Sequence, residues 1–497
     1  MSEDNMHVVV MGGGPAGLTA AYKLTKAEKK ATVLEKDNVV GGISRTASYK
    51  GYHFDIGGHR FFTKAKMVDD LWREVMGDRF LRRSRMSRIY YRKKFFYYPL
   101  RAMNALMGLG IWNSFLIFIS YMKAMLFPIK PEKTFQDWVC NRFGKRLFNT
   151  FFKTYTEKVW GIPCSEITAE WAAQRIKGLS LLSAAINALL KMPTGNKSKV
   201  IKTLIDAFDY PPLGPGQMWN EFKGLIEEKG NRVQMESRVD KIYWEPGSVK
   251  AVQVVQKDGT SHALQGTDFL STLPIKELIL KLEPTPPADI VEAANQLSYR
   301  DFLTVALIIE QDDLFPDNWI YIHDPDVKVG RIQNFKNWSP DMVPEKGMTC
   351  LGLEYFCFEE DGLWTMKDED LVALGRKEID QLGLAKAEDV QDGTVVRMPK
   401  AYPVYDSVYK EALEKVKVFL ATLPNLQLIG RNGMHKYNNQ DHSMLTAMMA
   451  VKNILGENHN LWEVNADQEY HEEVQSEEER QLAETLKTQP HVPEKTN

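Results

Sequence analysis

The chain is predicted to be a mixed α/β protein in which a parallel sheet, a helical middle and a second, antiparallel sheet follow one another. Three observations predict this. An apolar, β-branched run at residues 7–11 passes through a glycine cluster straight into a helix of small residues. A long stretch from about 68 to 207 is rich in Leu, Phe and Met with few turn signals, and strand-like alternation returns beyond residue 232.

The opening is a compact strand–helix–strand unit. A first strand at 7–11 ends in Gly12-Gly13-Gly14, a helix runs from about Pro15 to Lys26, and Thr32-Val33-Leu34 forms a second strand ending at Glu35. Gly12, Gly14 and Gly17 give the spacing GxGxxG of a Rossmann-type site. The first glycine allows the tight turn, the second lets backbone approach a pyrophosphate, and the third packs helix on strand. Pro15 and Ala16 open a helix whose N-terminus favours an anion. Glu35, followed by Lys36, stands where an acid can take a ribose hydroxyl pair. The motif alone does not separate NAD from FAD.

The string Tyr210-Pro211-Pro212-Leu213-Gly214-Pro215-Gly216 closes the helical stretch. A helix is expected at 218–228, then strands at 232–235, 241–244 and 251–256, with a hairpin turn at Lys257-Asp258-Gly259-Thr260. One more strand is expected at 269–273, and residues 300–355 alternate like a half-buried sheet. A strand at 426–429 leads to Gly430-Arg431 and a helix at 443–453. The division that follows is discontinuous: 1–67, 208–275 and 421–464 for the dinucleotide, and 68–207 as a mostly helical, substrate- or membrane-facing unit. Residues 276–420 form a substrate-binding sheet, and 465–497 a polar, solvated tail.

With 63 basic and 65 acidic residues, the near-neutral balance argues against broad electrostatic binding of nucleic acid. Four cysteines lack metal-ligand spacing and the density of a secreted scaffold, so buried, reduced thiols, no bound metal and a cytoplasmic address are expected. A few polar residues lead straight into the first strand, so no signal peptide is expected. Residues 106–122 carry no charge. A span needs ~20 apolar residues, and this short run, holding Gly108, Gly110, Asn113 and Ser114, reads first as a core or interfacial helix. The preceding Arg92-Lys93-Lys94-Phe95-Phe96-Tyr97-Tyr98 suits docking on an anionic membrane face, possible peripheral contact at its inner side, or else a surface strand with aromatics turned inward.

Later segments bear on the cofactor. Gly41-Gly42-Ile43-Ser44-Arg45-Thr46, then Phe54-Asp55-Ile56-Gly57-Gly58-His59, then Gly430-Arg431 resemble, in order, the flavin contacts of the FAD amine-oxidase and protoporphyrinogen-oxidase superfamily. The resemblance implies FAD, with Gly42, Ile43, Ser44, Gly57, Gly58, His59, Gly430 and Arg431 among its contacts. Val239 and Asp441 are counted with them.

Four motifs narrow the resemblance. Tyr155-Thr156-Glu157-Lys158-Val159-Trp160, Gly58-His59-Arg60-Phe61-Phe62-Thr63, Arg331-Ile332-Gln333-Asn334-Phe335-Lys336 and Gly430 to Tyr437 are similar to stretches of UDP-galactopyranose mutases. The mutase aspartate two positions past the tyrosine is Asn439 here, with Asp441 nearby, and the arginine-led run expected after Arg175 is not recognisable. The resemblance implies redox-neutral pyranose/furanose isomerisation in polysaccharide biosynthesis: N5 of reduced FAD attacks the anomeric carbon and displaces the diphosphate. Arg331, His59 and Tyr437 would then be catalytic, with Arg331 and Tyr437 meeting phosphate and His59 tuning the flavin. Tyr155, Trp160, Arg175, Tyr402 and Tyr405 complete the expected substrate set. The substrate would be a nucleotide-linked or lipid-linked sugar, and an electron donor such as NAD(P)H would reduce the flavin. The second reading is an FAD oxidoreductase of amine-oxidase or protoporphyrinogen-oxidase type. A flavoprotein scaffold without turnover is the third.

Overall fold

The computed structural model describes residues 6–98, 100, 102–169 and 207–464. Arg175 and the expected polar tail lie outside the described residues.

The opening forms as its sequence dictates: β1 (His7–Met11), α1 (Pro15–Lys26) and β2 (Lys30–Leu34) start a five-stranded parallel sheet. The other strands are Arg232–Gln234 beside β2, Asp268–Ser271 beside β1, and Leu426–Leu428 at the far edge. β1 is buried from Val8 to Met11, as a central parallel strand covered on both faces must be. Strands from the beginning, middle and end of the chain therefore build one sheet, and ligand-facing loops gather at their carboxyl ends. The expected hairpin joins Ser248–Gln256 to Ser261–Gln265 in a separate four-stranded sheet.

The second major sheet has seven strands, in the order Val390–Pro403, Tyr299–Ile309, Thr349–Cys357, Arg331–Asn334, Trp319–Ile322, Ser87–Tyr91 and Lys94–Tyr97. Alternate residues point to opposite faces. Leu303, Val305, Leu351 and Leu353 pack on one side with Leu371 and Ile379 of the helix Asp368–Leu382. The opposite face, carrying Trp319, Tyr321, Arg331, Gln333, Glu354 and Tyr402, lines a cavity.

The helical reading of 68–207 needs correction. Leu81–Ser84, Ser87–Tyr91 and Lys94–Tyr97 are strands, and the last two extend the seven-stranded sheet. The basic-aromatic segment is thus an edge hairpin with Phe96 turned inward. The uncharged run is two helices, Ala102–Leu109 and Ile111–Leu126, broken at Gly110, whose φ of +83° no continuing helix accommodates. It is not a core helix, because most of its large side chains face outward. No helix among the described residues is long and apolar enough to cross a membrane. The proline-rich string at 210–216 is packed rather than hinge-like: Tyr210 ends a buried strand, and Pro215 starts the helix Pro215–Glu228. All four cysteines are free and buried.

Candidate active site

Gly12 and Gly17 are glycines because the protein's own packing requires it. Gly12 has φ +110°, and a Cβ there would stand 2.0 Å from Thr272 Oγ1; a Cβ on Gly17 would stand 1.9 Å from the Gly12 carbonyl. Gly14 differs. Its Cβ would meet nothing nearer than Gly42 Cα at 3.8 Å, and Gly42 has no side chain either. Two bare backbones thus meet beside the N-terminus of α1, which has no side-chain cap. Amide groups and helix field there suit a pyrophosphate.

Glu35 is buried at the end of β2, accepting from Gly13 N at 2.7 Å and Asp37 N at 2.9 Å. Burial raises its pKa, and these two amides work against that shift. Each carboxylate oxygen keeps acceptor capacity beyond its amide. Ser237 N donates to the Glu35 carbonyl at 2.7 Å, which brings Val239, buried two residues further on, to the same end of the sheet. Lys36 is exposed. Gly41 N donates to the Gly13 carbonyl at 2.8 Å, tying the second glycine turn to the first. Ser44 Oγ donates to Gln440 Oε1 at 3.4 Å. Gly430, at φ +78°, lies against Ala16, so that a Cβ on it would come 3.0 Å from that methyl.

A cavity with about 980 Å³ of atom-free space, including its mouth, lies where Ile43 follows the second glycine turn. Ile43, Gly57, Gly58, His59, Arg431, Tyr437 and Asp441 line it opposite the sheet face already described. Arg331 and Glu354 are direct cross-strand partners. Arg331 Nε donates to Glu354 Oε2 and its Nη2 to Tyr402 Oη at 3.1 Å; Gln333 Nε2 donates to Glu354 Oε1 at 2.6 Å. Burial is the largest single influence on Arg331 and opposes its charge, but the Glu354 carboxylate together with Tyr402, Tyr155 and Tyr437 outweighs it and holds the pKa well above the ordinary arginine value. Tyr402 stacks on Tyr437, with centroids 5.6 Å apart and planes at 15°. The Arg431 guanidinium lies 5.3 Å and 4.9 Å from those two rings, donating from Nε to the Asn438 carbonyl at 2.8 Å and from Nη1 to the Ala401 carbonyl at 3.1 Å.

His59 Nδ1 sits 3.1 Å from the Gly57 carbonyl, so the proton belongs on Nδ1 and Nε2 is the bare acceptor. Burial, and secondly the charge of Arg431, push its pKa down to about 3. It is neutral across the physiological range.

The remaining expected residues divide. Trp160 is buried in a second layer, 6.4 Å from Tyr437 and 6.5 Å from Tyr402. Tyr155 stacks on His323 at 4.7 Å and meets the cavity-lining Tyr321 edge-on at 5.6 Å. Tyr405 is not on the wall: its hydroxyl accepts from Tyr437 N at 2.6 Å and its ring packs on Tyr409, so it holds the Tyr437 backbone. Glu354, Gln333, Trp319, Arg60 and Gln440 also line the cavity and were not among the expected residues. Glu354 had a signal: it is a lone carboxylate inside the otherwise uncharged strand Thr349–Cys357, where an acid needs a specific partner.

Fold and site define a protein with a Rossmann-like parallel sheet and a second sheet lining one cavity, and residues 10–75 match the family model "NAD(P)-binding Rossmann-like domain". The chain has the fold of UDP-galactopyranose mutase: it superimposes on the crystal structure of the reduced form with TM-score 0.78 and 21% identity, over 93% of this chain and 96% of that one. A provisionally assigned protoporphyrinogen oxidase from Exiguobacterium sp. 255-15 matches with TM-score 0.67 and 16% identity, over 90% and 98% of the two chains. An inactive all-trans-retinol 13,14-reductase of Danio rerio is 48% identical over 54 residues, only 11% of this chain and 9% of that protein. The likeness to the solved structures is one of fold, and the shared sequence is a short segment.

Proposed function

We propose that the chain is an FAD-dependent isomerase that interconverts the pyranose and furanose forms of a diphosphate-linked sugar without net oxidation. The observation that carries this reading is the make-up of one cavity: Gly57, Gly58 and His59 face a wall bearing Arg331, Arg431, Tyr402 and Tyr437, and Ile43, next in the chain to Gly42 of the second glycine turn, lines the same cavity. The fold shared with UDP-galactopyranose mutase supports it.

The residues fit FAD. Gly12 to Gly17, Gly42 and Ser44 would hold the pyrophosphate, Glu35 and Val239 the adenosine end, and Gly57, Gly58, His59 and Gly430 the ring end. When bound and reduced, the flavin supplies a nucleophilic ring nitrogen for covalent catalysis. The chain's own part is electrostatic. Arg331 and Arg431 face the site where charge develops on a departing diphosphate, in a cavity where such charge is poorly screened. Glu354 fixes the Arg331 fork in direction, and the Tyr402 and Tyr437 hydroxyls are within the same wall. Neutral His59 offers Nε2 as an acceptor without adding charge.

A second reading, an FAD oxidoreductase of amine-oxidase or protoporphyrinogen-oxidase type, is favoured by Glu354 and Asp441, which set two carboxylates against Arg60, Arg331 and Arg431 on the cavity wall. Anaerobically reduced protein given UDP-galactopyranose should yield the furanose with its flavin still reduced. Stoichiometric peroxide from oxidised protein, with no ring isomer, would establish the oxidoreductase instead.

A further inference from the structure

The helix Ile111–Leu126 is built inside out for a water-facing surface. Its protein-facing positions, three and four apart, include Ser114, Ile117, Tyr121 and Ala124. There the chain approaches closely, for a Cβ on Gly144 would stand 2.7 Å from Tyr121 N. Its outward face is apolar: Ile111 is 91% exposed, Trp112 71%, Phe115 52%, Phe118 55% and Leu126 68%, and the face continues in Phe127 at 75%. Exposed apolar area of this extent on a folded chain marks a contact surface.

Charge identifies what the contact is. The basic residues beside the helix pair are Arg92, Lys93 and Lys94, whereas Arg79, Arg82 and Arg88, earlier in the chain, are ion-paired with Glu221, Asp209 and Asp317. At the foot of the helix pair lies a second cavity, about 1250 Å³ of atom-free space including open solvent, where Arg92, Lys94 and Arg146 meet Asn113, Leu109 and Ile117. Arg146 Nη2 donates to Asn113 Oδ1 at 2.8 Å and Lys94 Nζ to the Gly108 carbonyl at 2.8 Å, which hold two of the cations at its rim. Arg92 and Lys93 form the turn between the two edge strands, both at positive φ. A basic rim around an apolar face matches a surface that is anionic outside and hydrocarbon within. A second copy of this chain would bring like charges together.

The geometry points to a docking face for one leaflet of an anionic membrane, with the outward side of Ile111–Leu126 among the acyl chains and a lipid headgroup phosphate between Arg92, Lys94 and Arg146. The chain lies on the membrane; none of its described helices can span it. The edge hairpin that carries Arg92 and Lys94 pairs with Trp319–Ile322, a strand that lines the active-site cavity. Arg92 and Lys94 therefore sit on an extension of the same sheet as that site.

The test is flotation of the full chain with vesicles of phosphatidylcholine alone and of an equal mixture with phosphatidylglycerol. Binding to the mixed vesicles, at least about tenfold stronger than to phosphatidylcholine and weakened by salt, is expected. Phe115→Ser with Phe118→Ser should abolish it, and Arg92→Gln with Lys94→Gln should remove the preference for phosphatidylglycerol, each with an unchanged melting temperature. The proposal is overturned by failure to float with mixed vesicles, by undiminished binding of the phenylalanine variant, or by a dimer in solution that this variant dissolves. Release from mixed vesicles by inorganic phosphate at matched ionic strength would equally overturn it, reassigning the cations to free phosphate. Turnover plays no part in these measurements.

Discussion

Arg331 and Glu354 face each other across neighbouring strands, so the cavity receives its cation already paired. A carboxylate there competes with any phosphate for the same guanidinium. Replacing Glu354 by Gln should tighten UDP binding by calorimetric titration, and should destabilise the fold by about 3 kcal/mol in urea unfolding, because the buried charge of Arg331 loses its partner. Arg331→Ala should eliminate turnover while flavin absorbance stays with the protein; loss of the flavin would place Arg331 in the cofactor shell. Arg331 was legible because its motif is local. Its carboxylate partner was not, since the pairing depends on a strand register that no short motif contains, although the lone acid in an apolar strand was visible. Tyr405 was misplaced for the same reason: it was expected in the substrate set, but only the loop beyond Pro403 decides where its hydroxyl goes.

Among the elements, the glycine turn separates two uses of the same residue. Gly17→Ala drives a methyl into the Gly12 carbonyl and should lower the melting temperature of the apoprotein. Gly14→Ala meets no protein atom closer than 3.8 Å, so the apoprotein should melt as the parent does while FAD uptake, followed by absorbance, is lost. Equal FAD uptake by the Gly14 variant would show that this glycine is not at the pyrophosphate site. The strand–helix–strand unit was readable because its signals are short-range. The edge strands at 87–97 were not, because their pairing with Trp319–Ile322 is made more than two hundred residues later. The uncharged run could be read as apolar, but nothing in its periodicity said that the apolar side would face out.

Across the whole molecule, buried titratable groups set the response to pH. Burial pushes His59 and His323 down to about 3 and His435 to about 4, from an ordinary 6.5. The unfolded chain takes up protons below pH 6.5 that the folded chain refuses, so this contribution is complete above pH 6.5 and is lost as pH falls toward 4. Asp55 acts oppositely: burial lifts its carboxyl from 3.8 to about 7, and its contribution, complete below about pH 4, is lost as pH rises to 7. Melting temperature should therefore drop on acidification from 6.5 to 4, and Asp55→Asn should gain on the parent as pH rises from 4 to 7, as scanning calorimetry would record. The overall plan was legible in outline because each sheet has its own residue pattern, whereas the closure of one sheet over the other is a property of the assembled chain. That closure has a consequence for biosynthesis. Gly430 rests on Ala16, and Gln440 reaches both Ser44 and the Arg60 carbonyl. A nascent polypeptide has its first glycine turn long before it has the segment that packs on it, so a chain truncated near residue 425 would lack the contacts that Gly430 and Gln440 make with that turn.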